Sequence, residues 1–261
     1  MIPTSSLVMI VVNLVLGFAV PIGLAWWLVK KHNASLRTIL IGAATFVVFA
    51  LILETIVHQI VLKGSFGAAI QGNTLYLALY GGLMAGLFEE TGRFLSMKYL
   101  LKKEPTTVKP AVAYGIGHGG IEMILVFGFT MISYLAMAAM ANSGQIDTLL
   151  SQTPADKQAA VNEVISKLSE SSTGEWLMGL WERATALILH LSLSVLVWAA
   201  VRKGGKWLWL FPAAILLHAF ADGITVILSK SASILATETI LFAMAIAIAG
   251  IAFQVARRIS S

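Results

Sequence analysis

Apolar and polar positions along this chain fall into long blocks, not into the short alternations of a soluble fold. Spans of roughly 20 mostly apolar residues are what a helix needs to cross a bilayer. Seven stretches qualify, at residues 7–29, 38–62, 74–101, 111–140, 176–201, 207–228 and 234–255. The pattern predicts an all-α, polytopic transmembrane helical bundle of about seven spans. The third and fourth stretches exceed the core thickness, which predicts tilt or protrusion. Pro21 and Pro212 are expected to kink or break their helices, which a packed bundle tolerates.

Composition strengthens this picture. Of 261 residues, 58% are hydrophobic and 12% charged, against about a quarter charged in ordinary soluble domains. The net charge of +5 is topological, because Lys and Arg sit between apolar runs and form no continuous basic surface for nucleic acid. They concentrate in alternate connections: Lys30, Lys31 and Arg37; Lys102, Lys103 and Lys109; Arg202, Lys203 and Lys206; then Arg257 and Arg258 in the tail. The intervening connections are poor in them. The positive-inside rule then predicts the N-terminus out and the C-terminus in. The first stretch lacks a basic n-region and a small-x-small cleavage signal, and so reads as a retained helix.

The whole chain, 1–261, reads as one integral-membrane domain with an extracytoplasmic amphipathic insertion at 141–175. A helix is expected there over 154–168, with Thr153 as N-cap and Pro154 at the first helical position. Val161, Val164, Ile165 and Leu168 form an apolar stripe at helical spacing, suited to a cap on the bundle or the membrane surface.

Against this apolar background, three motifs stand out: Phe88-Glu89-Glu90-Thr91-Gly92-Arg93, His118-Gly119-Gly120-Ile121-Glu122 and His218-Ala219-Phe220-Ala221-Asp222. A charge at the bilayer centre costs about 2.5–3.5 kcal/mol even on the lenient insertion scale. Counting about 1.5 Å per residue from each cytoplasmic edge places Glu89 and Glu122 roughly 18 Å in, His190 and His218 roughly 16–17 Å and His118 roughly 10–12 Å. Four helices therefore offer polar groups in one thin slab. His118 and Glu122 share a face at i,i+4, as do His218 and Asp222. Arg93 is i,i+4 from Glu89 and i,i+3 from Glu90, so it can neutralise one carboxylate and leave the other for different work. Glu54, His58, Glu182 and Glu238 lie nearer the outer leaflet, where hydrogen bonding between helices is the ordinary role of polar side chains.

Histidines and carboxylates together suit hydrolysis. A carboxylate takes a proton from water while an imidazole orients that water or protonates the leaving group, and a second imidazole stabilises the oxyanion. The same residues suit zinc, held by two His and one carboxylate with water in the open position. Other schemes fit poorly. The chain has no cysteine, no Gly-x-Ser-x-Gly and no His-Glu-x-x-His, and Asp222 is the lone Asp in the predicted spans.

The order Glu89-Glu90-x-x-Arg93, His118, His218-x-x-x-Asp222 resembles the type II CAAX endopeptidase and bacteriocin-processing (CPBP) superfamily, most closely its YhfC branch of bacterial integral-membrane proteins; the PrsW branch, with Glu-Glu-x-x-Lys, is a neighbour. The resemblance implies an intramembrane endopeptidase of the bacterial cytoplasmic membrane, acting on a membrane-anchored protein or peptide. It assigns Glu89 to water activation, with His118 assisting. His218 and Asp222 would form the oxyanion site, or would complete a metal site of His118, His218 and Glu89. Glu90 and Arg93 would support them, and Glu122 and His190 would extend the site. Both a metal-independent glutamate mechanism and a zinc mechanism are implied. Arg93 comes one residue earlier than in the CAAX-type pattern, and Tyr114 stands where that pattern has Phe. Two other classes stay open: a proton-coupled transporter, since Glu and His relays also cross bilayers, and a catalytically inactive scaffold.

Overall fold

A computed structural model describes residues 1–260, and no strand occurs among them. In chain order the helices are α1 (Thr4–His32), α2 (Leu36–Lys63), the short α3 (Gly67–Gln71), α4 (Thr74–Leu95) and α5 (Lys109–Asn142). There follow α6 (Ile146–Gln152), α7 (Ala155–Glu170), α8 (Thr173–Lys203), α9 (Leu210–Ser231) and α10 (Ile234–Ser260). Six helical spans, those of α1, α2, α5, α8, α9 and α10, are long and apolar enough to cross a membrane. The third predicted stretch, α4, is not among them, because Glu89, Glu90 and Arg93 crowd its last two turns.

Local chemistry sets several boundaries. Ser35 Oγ accepts from the Thr38 N–H to start α2, and Asn73 Oδ1 accepts from the Leu75 and Tyr76 N–H groups to start α4. Pro212 falls in the first turn of α9, just after a 3-10 turn at Gly205–Trp209, where its missing N–H costs nothing and the helix is not broken. Pro21 lies inside α1, which continues through it. The expected cap of α7 is corrected: Pro154 is the N-cap residue and α7 begins at Ala155. Thr153 instead donates its hydroxyl back to the Leu149 carbonyl, closing α6. Three stretches wind as π-helix: Val47–Glu54 within α2, Ser96–Leu100 directly after α4, and Met123–Gly128 within α5.

By its contacts the chain forms two compact units. The first comprises Met1–Val20 and Met123–Arg183. Its core is Ile10, Phe127, Met131, Ala138, Leu168 and Trp176, and the apolar stripe of α7 packs into it through Leu168, Val164 and Ile165. Ser172 and Glu175 close the start of α8: the Ser172 N–H and hydroxyl donate to the Glu175 carboxylate.

The second unit comprises Pro21–Glu122 and Ala184–Ser261. Its centre is the inner half of α8, where every residue from Ser192 to Ala200 is buried. A helix enclosed on all sides is the natural place for a run with almost no amphipathic stripe. Around it, two helix pairs approach to backbone contact. A methyl group at Gly117 of α5 would overlap the Ile39 carbonyl of α2, and one at Gly42 of α2 would overlap the Tyr114 carbonyl. On α4, Gly82 and Gly86 present the same bare surface to the Ala219 and Ile215 carbonyls of α9. Small residues permit this closeness where lipid provides no hydrophobic drive between helices.

The three basic connections meet at one end of this unit. Arg37 donates to the Leu100 carbonyl at 3.1 Å, and Arg202 donates to the Lys102 carbonyl at 3.1 Å and also to the Glu104 carbonyl. Thr38 donates to the Glu104 side chain at 3.0 Å.

The notches carry a prediction. Gly117→Ala should destabilise the purified protein by about 1–3 kcal/mol, as overpacked contacts do, because the obstacle is backbone. Gly23→Ala on α1, with nothing within 4 Å of the new methyl, should be neutral or stabilising, since Ala is the better helix former. Thermal unfolding in detergent compares the two, and equal behaviour would count against backbone contact at Gly117.

Candidate active site

The polar residues flagged in the sequence converge in the second unit. α4 contributes Glu89, Glu90 and Arg93; α5 contributes His118 and Glu122; α8 contributes His190; α9 contributes His218 and Asp222. Glu90, Arg93 and His118 have no exposed surface, and Glu89, His190 and His218 are buried. No soluble-protein surface is involved: the cluster sits inside helices whose outer faces are apolar.

Arg93 organises one side of it. Its Nη1 donates to the His190 carbonyl at 2.8 Å and to Ser194 Oγ at 2.9 Å. Its Nε lies 3.3 Å from Glu90 Oε2. Its Nη2 lies 3.2 Å from His190 Nδ1. A guanidinium cannot accept, so Nδ1 of His190 must. That leaves the His190 proton on Nε2, which faces Glu122 Oε2 at 2.5 Å. One arginine and one glutamate thereby fix the tautomer of His190. Glu90 is held from its other side by His218, whose Nδ1 donates to Glu90 Oε1 at 2.8 Å. The Nε2 of His218 stands 3.6 Å from Asp222 Oδ2, one turn along α9.

Glu89 is placed differently from its neighbour. Its Oε2 accepts from His118 Nε2 at 2.8 Å and lies 3.9 Å from His190 Nδ1. The rings of His118 and His190 are 5.0 Å apart, and those of His190 and His218 are 5.4 Å apart. Tyr114 stacks on His118 from one turn earlier, and Phe46 meets the ring edge-on. Gly119 lets α5 pass close to His190, since a methyl there would crowd that side chain.

Among the described residues, one group of potential ligand atoms lies within 4.8 Å of one another: Glu89, His118 and His190. His190 takes the place in this trio that the sequence assigned to His218, which is engaged by Glu90 instead. A carboxylate oxygen and two imidazole nitrogens are a donor set that zinc accepts. Glu122 behind His190 is the outer carboxylate such a ligand commonly has. His118 Nδ1 is buried without a hydrogen-bond partner, so the ring can carry its proton there and free Nε2 as a ligand. The set therefore fits a metal, with one displacement: Arg93 Nη2 must give up His190 Nδ1. Ser194 was not singled out from the sequence. Its i,i+4 spacing from His190 on α8 was the available signal.

Comparison with known proteins bears on the same region. The family model of the YhfC intramembrane metalloproteases matches residues 16–246, which include every residue of this cluster. The chain is 37% identical over 220 residues, 84% of its own length and 83% of the other's, to the uncharacterized membrane protein YhfC of Bacillus subtilis (strain 168). No solved structure matches. With most of the chain covered in both comparisons, this is a multi-pass membrane protein that belongs to the YhfC intramembrane metalloprotease family.

Proposed function

We propose that the protein is an intramembrane endopeptidase, CAAX-protease-like in mechanism, that hydrolyses a peptide bond of a membrane-anchored protein or peptide. The observation that carries this reading is the buried Glu89–His118–His190 trio, set among apolar helices with Glu122 against His190 and a third imidazole, His218, beside it. It works in a bacterial cytoplasmic membrane with α4 as a seventh span, held despite its charges because each of them finds partners within the protein. The basic connections, joined at one end through Arg37 and Arg202, mark the cytoplasmic side.

Glu89, His118 and His190 would hold the metal, with zinc the best match to the donors. Bound there, it would supply a Lewis acid and lower the pKa of its water. The chain's own contributions are distinct. Glu122 keeps the His190 proton on Nε2 and turns Nδ1 toward the trio. Arg93 anchors the α8 backbone at His190, so the ring cannot drift along its helix. His218, with its Nδ1 proton committed to Glu90, presents Nε2 beside Asp222, where a protonated imidazole donates to a developing oxyanion. Surrounding apolar side chains exclude bulk water and strengthen each of these interactions.

One observation favours a metal-independent variant of the same function. Arg93 Nη2 occupies His190 Nδ1, and His118 donates directly to Glu89. In that reading Glu89 takes the proton of an attacking water and His118 orients the carboxylate.

Two measurements decide. First, purified wild type and Glu89→Gln are reconstituted with a panel of membrane-anchored substrates. Cleavage should fall at least about 100-fold in the variant, the usual worth of a general base or more; unchanged cleavage would remove Glu89 from the chemistry. Second, metal content is followed against chelator. The metal reading expects about one zinc per chain and a roughly 10–100-fold weaker hold in Glu122→Gln. Chelator-insensitive cleavage by metal-free protein selects the glutamate mechanism.

A further inference from the structure

Hydrolysis consumes water, and a site enclosed by lipid-facing helices needs a route for it. A second line of polar groups, outside the cluster, runs toward it from the opposite end of the second unit to the basic connections. Glu54 closes the π-helical stretch of α2 and is buried. One turn on, His58 Nε2 lies 3.1 Å from Glu54 Oε1, and His58 Nδ1 lies 2.8 Å from the Tyr80 hydroxyl of α4. The carboxylate accepts, so His58 donates from Nε2, and its Nδ1 accepts from Tyr80. The line is polarised inward: Tyr80 to His58 to Glu54.

Accessibility falls from His58 to Glu54. The His58 side chain is 30% exposed and that of Glu54 10%. At the inner end, the π-helical stretch that Glu54 closes packs on α4 beside the cluster, where a methyl group at Gly92 would overlap the Phe49 ring, and the Asp222 side chain on α9 is 44% exposed. Counted from Lys63, where α2 ends, Glu54 lies roughly 13 Å deep and His58 roughly 7 Å.

The plain alternative is a clip between α2 and α4. A clip needs only the His58–Tyr80 bond. It does not need a carboxylate behind it, and Glu54 receives one hydrogen bond, from His58, among the described residues. A carboxylate offers about four acceptor sites, and a buried one left so short of donors is costly unless water fills them.

We propose that Tyr80, His58 and Glu54, with Asp222 on α9, line a hydrated entrance that brings water from the extracytoplasmic side to the Glu89 centre. The use of that water rests on the protease reading. The entrance itself does not, and its test reads hydration, not cleavage.

The absence of cysteine makes the test clean, since each introduced thiol reports alone. His58→Cys, Tyr80→Cys and Glu54→Cys are compared with Ile56→Cys, whose native side chain is 51% exposed on the apolar surface of the same helix. Maleimides react with thiolate, which forms in water and is suppressed in apolar surroundings. A membrane-impermeant maleimide applied to right-side-out membranes should label the thiols at 58 and 80 on the order of ten-fold faster than that at 56, with the thiol at 54 between them. Labelling after denaturation normalises for the amount of protein. Rates at 58 and 80 no faster than at 56, or labelling only from inverted membranes, overturn the entrance. Two independent entrance positions keep the test sound where Glu54→Cys does not fold.

Discussion

A guanidinium with no exposed surface is the constraint around which the second unit is arranged. The Arg93 guanidinium offers five N–H donors and no acceptor, so burying it among apolar helices demands partners on every side. It finds them in Glu90, in the His190 carbonyl and in Ser194. These ties cross from α4 to α8 and consume the carboxylate that would otherwise repel Glu89. His218 adds a second tie to Glu90 from α9. Three helices are therefore registered to one another by a single charged group and its neighbours, at the depth where the cluster sits. Removing Arg93 would leave Glu90 buried with half its compensation, which is why such a residue fixes geometry more than it adds stability.

That registration works only because the backbones come close enough. Glycine notches let α2 meet α5 and α4 meet α9 at van der Waals contact of the main chain. The notch at Gly117 adjoins His118, and those at Gly82 and Gly86 precede Glu89 on the same helix. Small residues and polar ones are thus interleaved: the former bring the helices together, and the latter face one another once they are there. The inner half of α8 supplies the remaining wall, with Ser194, whose hydroxyl Arg93 needs, in its fully buried run and His190 one turn before it.

Much of this was legible from residue order. Long apolar runs gave the helices, with the stretch at 74–101 recognised in spite of charges that lower its hydropathy. Depth counting placed Glu89, His190 and His218 in one slab, and the structure brings them into one cluster. What spacing could not reveal was rotation about each helix. By angle alone Arg93 projects nearer Glu89 than Glu90, at about 40° against 60°. It pairs with Glu90 because the α8 carbonyl and Ser194 draw it to that side. Nor could spacing show which imidazole turns to Glu89: His190 and His218 lie at equal depth, and only packing decides. The π-helical stretches were invisible too. Each shifts the face of the residues beyond it, and they end at Glu54, follow Arg93 by three residues and begin directly after Glu122.

The adjacent glutamates show how identical side chains come to different ends. A step of one residue turns the side chain by about 100° on a helix, so Glu90 points to α9 and Arg93 while Glu89 points to α5 and α8. Glu90 receives a full cation at one oxygen and an imidazole at the other. Both of its oxygens are thus engaged by groups within the protein. Glu89 takes a single hydrogen bond, from His118, and faces a second imidazole beyond hydrogen-bond reach. Its unfilled acceptor capacity is the chemical potential of the site: a proton from water, a metal ion or the Arg93 arm released from His190 are the kinds of partner that would complete it. Each requires the neighbour to stay satisfied. The pairing of Glu90 is therefore what leaves Glu89 its open acceptor sites, and a charge-neutral exchange of roles between them is barred by the helix itself.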